Sequence, residues 1–274
     1  VIAIGDNAFY NKNTLTSVSI PDTVTSIGYR AFRDCDKIKE ITIPDSVTSI
    51  GKEAFCSCNS LITVNMSKSV ETVDERAFYE CPSLLGIEFP ASTQSLGNSC
   101  FQNCDSLTRV ILPDNISVGE YAFYGCDGLE YLSLPEGFTM GNYAFHYCSK
   151  LNKVIFEGET AVLGKFGFRD CTNLQYVVFP EKLEEIPESC FYNCNKMVSV
   201  SIPSTVKTIG NNAFDYCSSL KSIQLPDGVS LGSWAFSSCR QLSSVTFDGR
   251  CEAIGEGCFA YSAITQITIP DGVK

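Results

Sequence analysis

The stretch "SIPDTVTSIGYRAFRDC" occupies residues 19–35, and "TIPDSVTSIGKEAFCSC" occupies residues 42–58, so nearly the same line recurs 23 positions later. The recurrence does not stop there. The Phe of the "AF", "CF" or "GF" pair returns as Phe9, Phe32, Phe55, Phe78, Phe101, Phe123, Phe145, Phe168, Phe191, Phe214, Phe236 and Phe259, at spacings of 22 or 23 residues. A fixed period of this size over a whole chain is the signature of a stacked repeat, in which each unit contacts its neighbours and none can enclose a core alone. The expectation is a single repeat domain spanning residues 1–274, of about twelve coils of 22–23 residues, rather than the two globular domains that the length would otherwise suggest.

Each coil reads in three parts. The first, such as "LTSVSIP" (Leu15–Pro21) or "LTRVILP" (Leu107–Pro113), alternates β-branched and polar residues and stops at Pro, as a short strand does. The second, "VTSI" at Val24–Ile27 and Val47–Ile50, is another short alternating segment reached through a Pro-Asp turn. The third opens with Gly and places Ala, Phe and Cys at a spacing that predicts short helical turns with one apolar face. Stacking at the spacing of paired strands, about 4.8 Å, puts the Phe residues into one internal ladder. A second ladder is Val18, Ile41, Val64, Ile87, Val110, Leu132, Val154, Val177, Val200, Ile223, Val245 and Ile267.

The succession of Leu, two polar residues, Val or Ile, Pro, then Ile-Gly, Ala-Phe and Cys resembles the BspA-like leucine-rich repeat family over essentially the whole chain. A few coils depart from it: Asp74 and Pro187 stand where other coils carry Gly, and Glu157 and Asp248 where they carry the strand-ending Pro. The resemblance implies an α/β leucine-rich repeat solenoid, right-handed and curved, with a parallel sheet on one face. It also implies a binding or adhesion module at the cell surface or secreted, as in surface proteins of host-associated bacteria and some protists. The family supplies no catalytic motif. The chain begins and ends inside a repeat, so it is expected to be a segment of a longer protein, with any signal peptide outside it.

Composition narrows the partners. With 44% hydrophobic residues the chain is a folded one, and no apolar run approaches the roughly 18 residues needed for a membrane span. A net charge of −11 argues against nucleic acid, which calls for a basic stripe.

Fifteen cysteines would ordinarily suggest disulfides or metal. Ten of them, from Cys35 to Cys239, lie three residues after successive Phe markers and form a ladder instead. A small, weakly donating apolar residue suits a tight internal slot. Cys100, Cys190 and Cys258 occupy the slot that Ala fills elsewhere, and Cys251 falls where Val47 sits. Cys56 alone lies outside an obvious core position and is expected to be the reactive thiol. Zinc needs four ligands, and His146 is the one histidine. His146 follows a Phe marker where other coils carry Tyr10, Tyr79, Tyr124 or Tyr192, so it reads as a tyrosine-like surface aromatic. No cofactor, metal or catalytic residue is assigned, and the chain is read as a non-enzyme.

The outward residues of the first strand locate a partner. Along the repeat the two outward columns are Ser/Thr-rich at both ends and apolar or aromatic in the middle. Ile111, Tyr131, Ile155, Tyr176 and Val178 are expected to form the centre of a protein-binding patch on the presumed concave face, with Arg109 and Lys153 as polar edges. The partner expected is a host or matrix protein, and a glycan stacked on Tyr131 or Tyr176 is the alternative ligand. A cytosolic interaction scaffold and a solenoidal polysaccharide-active enzyme are the alternative functions. The enzyme would need facing carboxylates, whereas Glu40, Glu88 and Glu130 lie about two coils apart.

Overall fold

The computed structural model describes residues 2–273. They fall into two compact units, Val1–Leu129 and Glu130–Lys274. In the first unit one row of short strands comprises Ala3–Ile4, Ser26–Ile27, Ser49–Ile50, Thr72–Val73, Ser95–Leu96 and Ser117–Val118. They pair in parallel one coil apart, Ser26 opposite Ser49 and Ile27 opposite Ile50. The other row comprises Glu40–Thr42, Thr63–Asn65, Gly86–Glu88 and Arg109–Ile111. The second unit repeats both rows: Tyr131–Leu134, Lys153–Phe156 and Tyr176–Val178 form one parallel sheet, and Ser222–Leu225 pairs with Ser244–Phe247. Its other row holds Phe138–Met140 with Ala161–Val162, and the sheet Glu185–Ile186, Thr208–Ile209, Val229–Leu231, Cys251–Ile254. The chain is thus a parallel-strand β-solenoid of about eleven turns, against the expected count of about twelve coils.

Alternation positions the core. Within a strand such as Tyr131–Leu134 the side chains run exposed, buried, half-buried, buried, because successive residues face opposite sides of the pleat. The Phe markers stack ring on ring in each unit. From Phe9 to Phe123 the centroids are 5.1–5.3 Å apart, and from Phe145 to Phe259 they are 5.2–5.7 Å apart. Each buried ring contributes about 1.5–3 kcal/mol from burial alone.

The short helical turns are not found: among the described residues there is no helix. In "GYRAFRDC" the backbone of Arg30 and Asp34 is left-handed, at φ 53° and 58°, and the equivalent positions of the other coils repeat the pattern. Two left-handed residues flanking Phe32 break any helix. The N–H groups of Ala31 and Arg33 close tight turns onto Gly28 and Arg30, while those of Arg30, Phe32 and Asp34 reach the carbonyls of Lys52, Ala54 and Cys56 in the next coil. The turn face is therefore a hydrogen-bonded ladder as regular as the strands. A left-handed non-Gly residue costs about 1–2 kcal/mol. Here each one gains an inter-coil bond that a helical conformation would not offer.

The strand expected at Gln266–Thr268 is absent too, and so are those within Leu15–Pro21 and at Ser199–Ser201. The last two sites read Ser-Val-Ser, so neither outward position offers a branched or aromatic side chain for cross-strand contact. The departures from the repeat at Asp74, Glu157, Pro187 and Asp248 are partly explained. Replacing Pro restores an N–H, and Glu157 and Asp248 use theirs to bond the carbonyls of Leu134 and Leu225 at 2.9 Å. Asp74 turns its carboxylate onto the N–H of Glu75 at 2.7 Å. Nothing in the structure explains Pro187.

Candidate partner-binding face

Five of the seven residues singled out from the sequence share one sheet. The register sets Tyr131 beside Lys153 and Lys153 beside Tyr176, and sets Ile155 beside Val178. All five side chains face outward, because the intervening Leu132, Val154 and Val177 are buried. Tyr131, Tyr176 and Val178 are 47%, 55% and 50% exposed, high values for residues of this size. The Lys153 ammonium lies 5.9 Å from the Tyr131 ring centre. Arg109 and Ile111 stand on the strand Arg109–Ile111 of the first unit, where Arg109 is 3.8 Å from Glu88.

Two further residues belong to the face that sequence reasoning missed. Glu157 continues the outward column of Lys153 and Ile155, and its Oε1 accepts a hydrogen bond from the Ser133 hydroxyl at 2.7 Å. Glu181 lies one turn on, and both line a cleft with Phe156, Val178 and Phe179. A signal is present in the sequence, since Glu157 stands where most coils carry the strand-ending Pro. Taken alone, that substitution reads only as a perturbed turn.

The cysteines belong to the frame. All fifteen are free and buried. In nine rungs the thiol donates to the carbonyl of the Phe marker one coil earlier, as from Cys58 to Phe32 at 3.2 Å and from Cys217 to Phe191 at 3.2 Å. Burial pushes the thiols of Cys58, Cys81, Cys217 and Cys239 up, the last to about 12. Cys56 is not the reactive thiol expected: it is 3% exposed, and burial raises its pKa more than Ser57 and the Arg33 charge lower it. The reason is local. Glu53, also buried, is held by the Arg30 guanidinium at 2.8 Å and by Arg33, and the charges of Glu53 and Arg33 both act on Cys56.

His146 is not a surface aromatic. It is 8% exposed, stacked on Tyr147 with centroids 4.1 Å apart, and its Nε2 is 3.0 Å from Asp170. Burial lowers its pKa despite the opposing hydrogen bond and charge of Asp170. Among the described residues no group of His, Cys, Asp and Glu could hold a metal ion. No helix there is long and apolar enough to cross a membrane.

Comparison with known proteins agrees with this architecture. A leucine-rich repeat protein from Bacteroides ovatus ATCC 8483 superposes with a TM-score of 0.87 at 33% identity, over 95% of this chain and 68% of that one. The leucine-rich repeat protein TpLRR of T. pallidum is 27% identical, with a TM-score of 0.50 over 58% of this chain and 75% of that one. The pneumococcal vaccine antigen PcpA shares the fold at 22% identity and a TM-score of 0.51, over 94% of this chain and 81% of its own. No curated protein matches the chain. Leucine-rich repeat proteins are in general non-enzymatic modules that bind proteins. The BspA type leucine rich repeat profile matches residues 2–130, 94–220 and 161–274, and the chain belongs to that family.

Proposed function

We propose that the chain is a non-enzymatic binding module, displayed at the cell surface or secreted, that recognises a host or matrix protein through the outward face of the sheet Tyr131–Leu134, Lys153–Phe156 and Tyr176–Val178. The observation that carries this reading is the adjacency of Tyr131, Lys153, Tyr176, Ile155 and Val178 on one exposed sheet face. Scattered exposed apolar residues need no explanation, whereas a contiguous group with two Tyr anchors is what a protein-binding centre requires. Family membership favours binding over catalysis, and the surface location is carried over from the resemblance. Arg109 and Ile111 belong to the proposal as the corresponding face of the first unit.

The test is binding of the purified chain to an array of matrix proteins and glycans, beside the double variant Tyr131→Ser/Tyr176→Ser. Capture of a protein, weakened about tenfold or more in the double variant, is the expected result. Equal binding by a folded double variant refutes the face. Capture of glycans alone would replace the protein partner with a sugar.

A further inference from the structure

The face is not electrically uniform, and its asymmetry identifies the kind of protein it fits. At one end of the strand Lys153–Phe156 the cation of Lys153 is taken up against the Tyr131 ring. At the other end Glu157 and Glu181 line the cleft beside Val178, and among the described residues neither has an ion-pair partner. Lys182, the nearby cation, is already engaged by Glu159 at 2.6 Å. Phe156 and Phe179 also line the cleft but are buried, so the apolar surface it offers is Val178, 50% exposed. An exposed Val beside carboxylates that have no ion-pair partner accommodates a side chain that is aliphatic along its stem and cationic at its head. The net charge of −11 also draws a cationic partner toward the chain and repels an acidic one.

Resting on the binding face proposed above, we infer that the partner presents a basic, apolar-anchored segment. A Lys or Arg of that segment lies across Val178 with its head at Glu157 and Glu181, while a neighbouring apolar side chain packs onto the exposed rings of Tyr131 and Tyr176 on either side of Lys153. Both parts are needed. The carboxylates orient the segment along the strand direction, and the aromatic pair supplies the desolvated contact that holds it.

Three synthetic peptides test this by fluorescence anisotropy: one alternating Lys with Leu and Trp, the same peptide with Glu for Lys, and the same with Ser for Leu and Trp. The first peptide is expected to bind, and the other two at least tenfold more weakly. Glu157→Gln/Glu181→Gln should weaken the first peptide about tenfold and flatten its dependence on salt. Glu184→Gln/Glu185→Gln, with the same change in net charge on exposed positions outside the cleft, should leave it unchanged. The Gln at 157 keeps an acceptor for Ser133, so folding is not at issue. Equal binding of the acidic peptide, equal loss in the 184/185 variant, or no binding of the first peptide overturns the inference. If Tyr131→Ser/Tyr176→Ser abolishes binding and the Glu157/Glu181 variant does not, the inference falls while the face stands. If only the Glu157/Glu181 variant matters, the face falls with it.

Discussion

The Cys81 thiol donates to the backbone carbonyl of Phe55, one coil earlier, at 3.2 Å. The same contact recurs in rung after rung and accounts for a residue that sequence alone would assign to the slot merely because it is small. A carbonyl buried beside a stack of Phe rings has no access to water, and leaving it without a donor costs about 1–3 kcal/mol. Cys81→Ala removes both the donor and packed volume, so it should lower unfolding free energy by roughly that amount or more. Cys81→Val fills the slot without a donor and should recover only part of the loss. Urea unfolding of the three proteins measures the difference. A Val variant as stable as the parent would show that volume alone matters.

All fifteen thiols are buried, so their reactivity follows unfolding and not local chemistry. Thiolate is the reactive form, and burial raises the pKa of Cys56 as it does those of Cys58 and Cys81 in the ladder. Ellman's reagent should therefore titrate almost no thiol in the native chain and all fifteen in guanidinium. One thiol reacting quickly in the folded protein, mapped to Cys56 by mass spectrometry, would restore the reactive role that its place in the sequence suggests.

The repeat was legible because it rests on one-dimensional facts: Phe at a fixed period, Pro at the strand end, and alternation in between. From these alone the ladders of Phe32, Phe55 and Phe78 and the outward placing of Tyr131 and Tyr176 follow. The turn face was not legible in the same way. Ala31, Phe32 and Cys35 have a spacing compatible with a helix, and apolar spacing carries no record of whether Arg30 and Asp34 adopt positive φ. A cue existed in Asn11, Asn103, Asn193, Gly125 and Gly257, since Asn and Gly are the residues that most readily take that conformation, but Tyr143, Phe166 and Trp234 occupy it too. Burial of His146 was hidden for a different reason. It depends on Tyr147 and on Asp170 of the next coil, and neither contact is encoded in the residue's own place in the repeat.

Acid should weaken the fold at two identifiable groups. Burial raises the Glu53 pKa, but the hydrogen bond and charge of Arg30, together with Arg33, outweigh it and hold the carboxyl below its ordinary 4.5. A depressed folded-state value means that the unfolded chain binds the proton first, so the stability from Glu53 is present above about pH 4.5 and is lost as pH falls through the folded value. His146 is depressed from 6.5 by burial, so the unfolded chain again takes up the proton first, and stability declines as pH drops below 6.5. Thermal melts across this range should show Glu53→Gln flattening the lower limb and His146→Gln the upper one. A parent melting temperature that rises on acidification through either window would contradict the assigned direction.

The Ser-Val-Ser segment at Ser199–Ser201 is a loose point inside the second unit. Ser199, Val200, Ser201 and Ile202 donate no backbone hydrogen bond among the described residues, whereas on the turn face of the same coil Phe214 and Tyr216 donate to Ala235 and Ser237 at 2.8 and 3.0 Å. One coil is thus held on its turn face and loose on its strand face. Amide exchange follows local opening, so those four amides should exchange far faster than Phe214 and Tyr216 and faster than the amides of Ile223 and Leu225 in the paired strand beyond. Ser199→Thr/Ser201→Val supplies the branched side chains that the paired strands carry, and it should slow exchange across the segment and raise the melting temperature by a few degrees. Exchange at Ser199–Ile202 as slow as at Ile223 in the parent protein would mean that the strand is already paired in solution, and the Ser-Val-Ser explanation for its absence would then fail at Ser17–Ser19 as well.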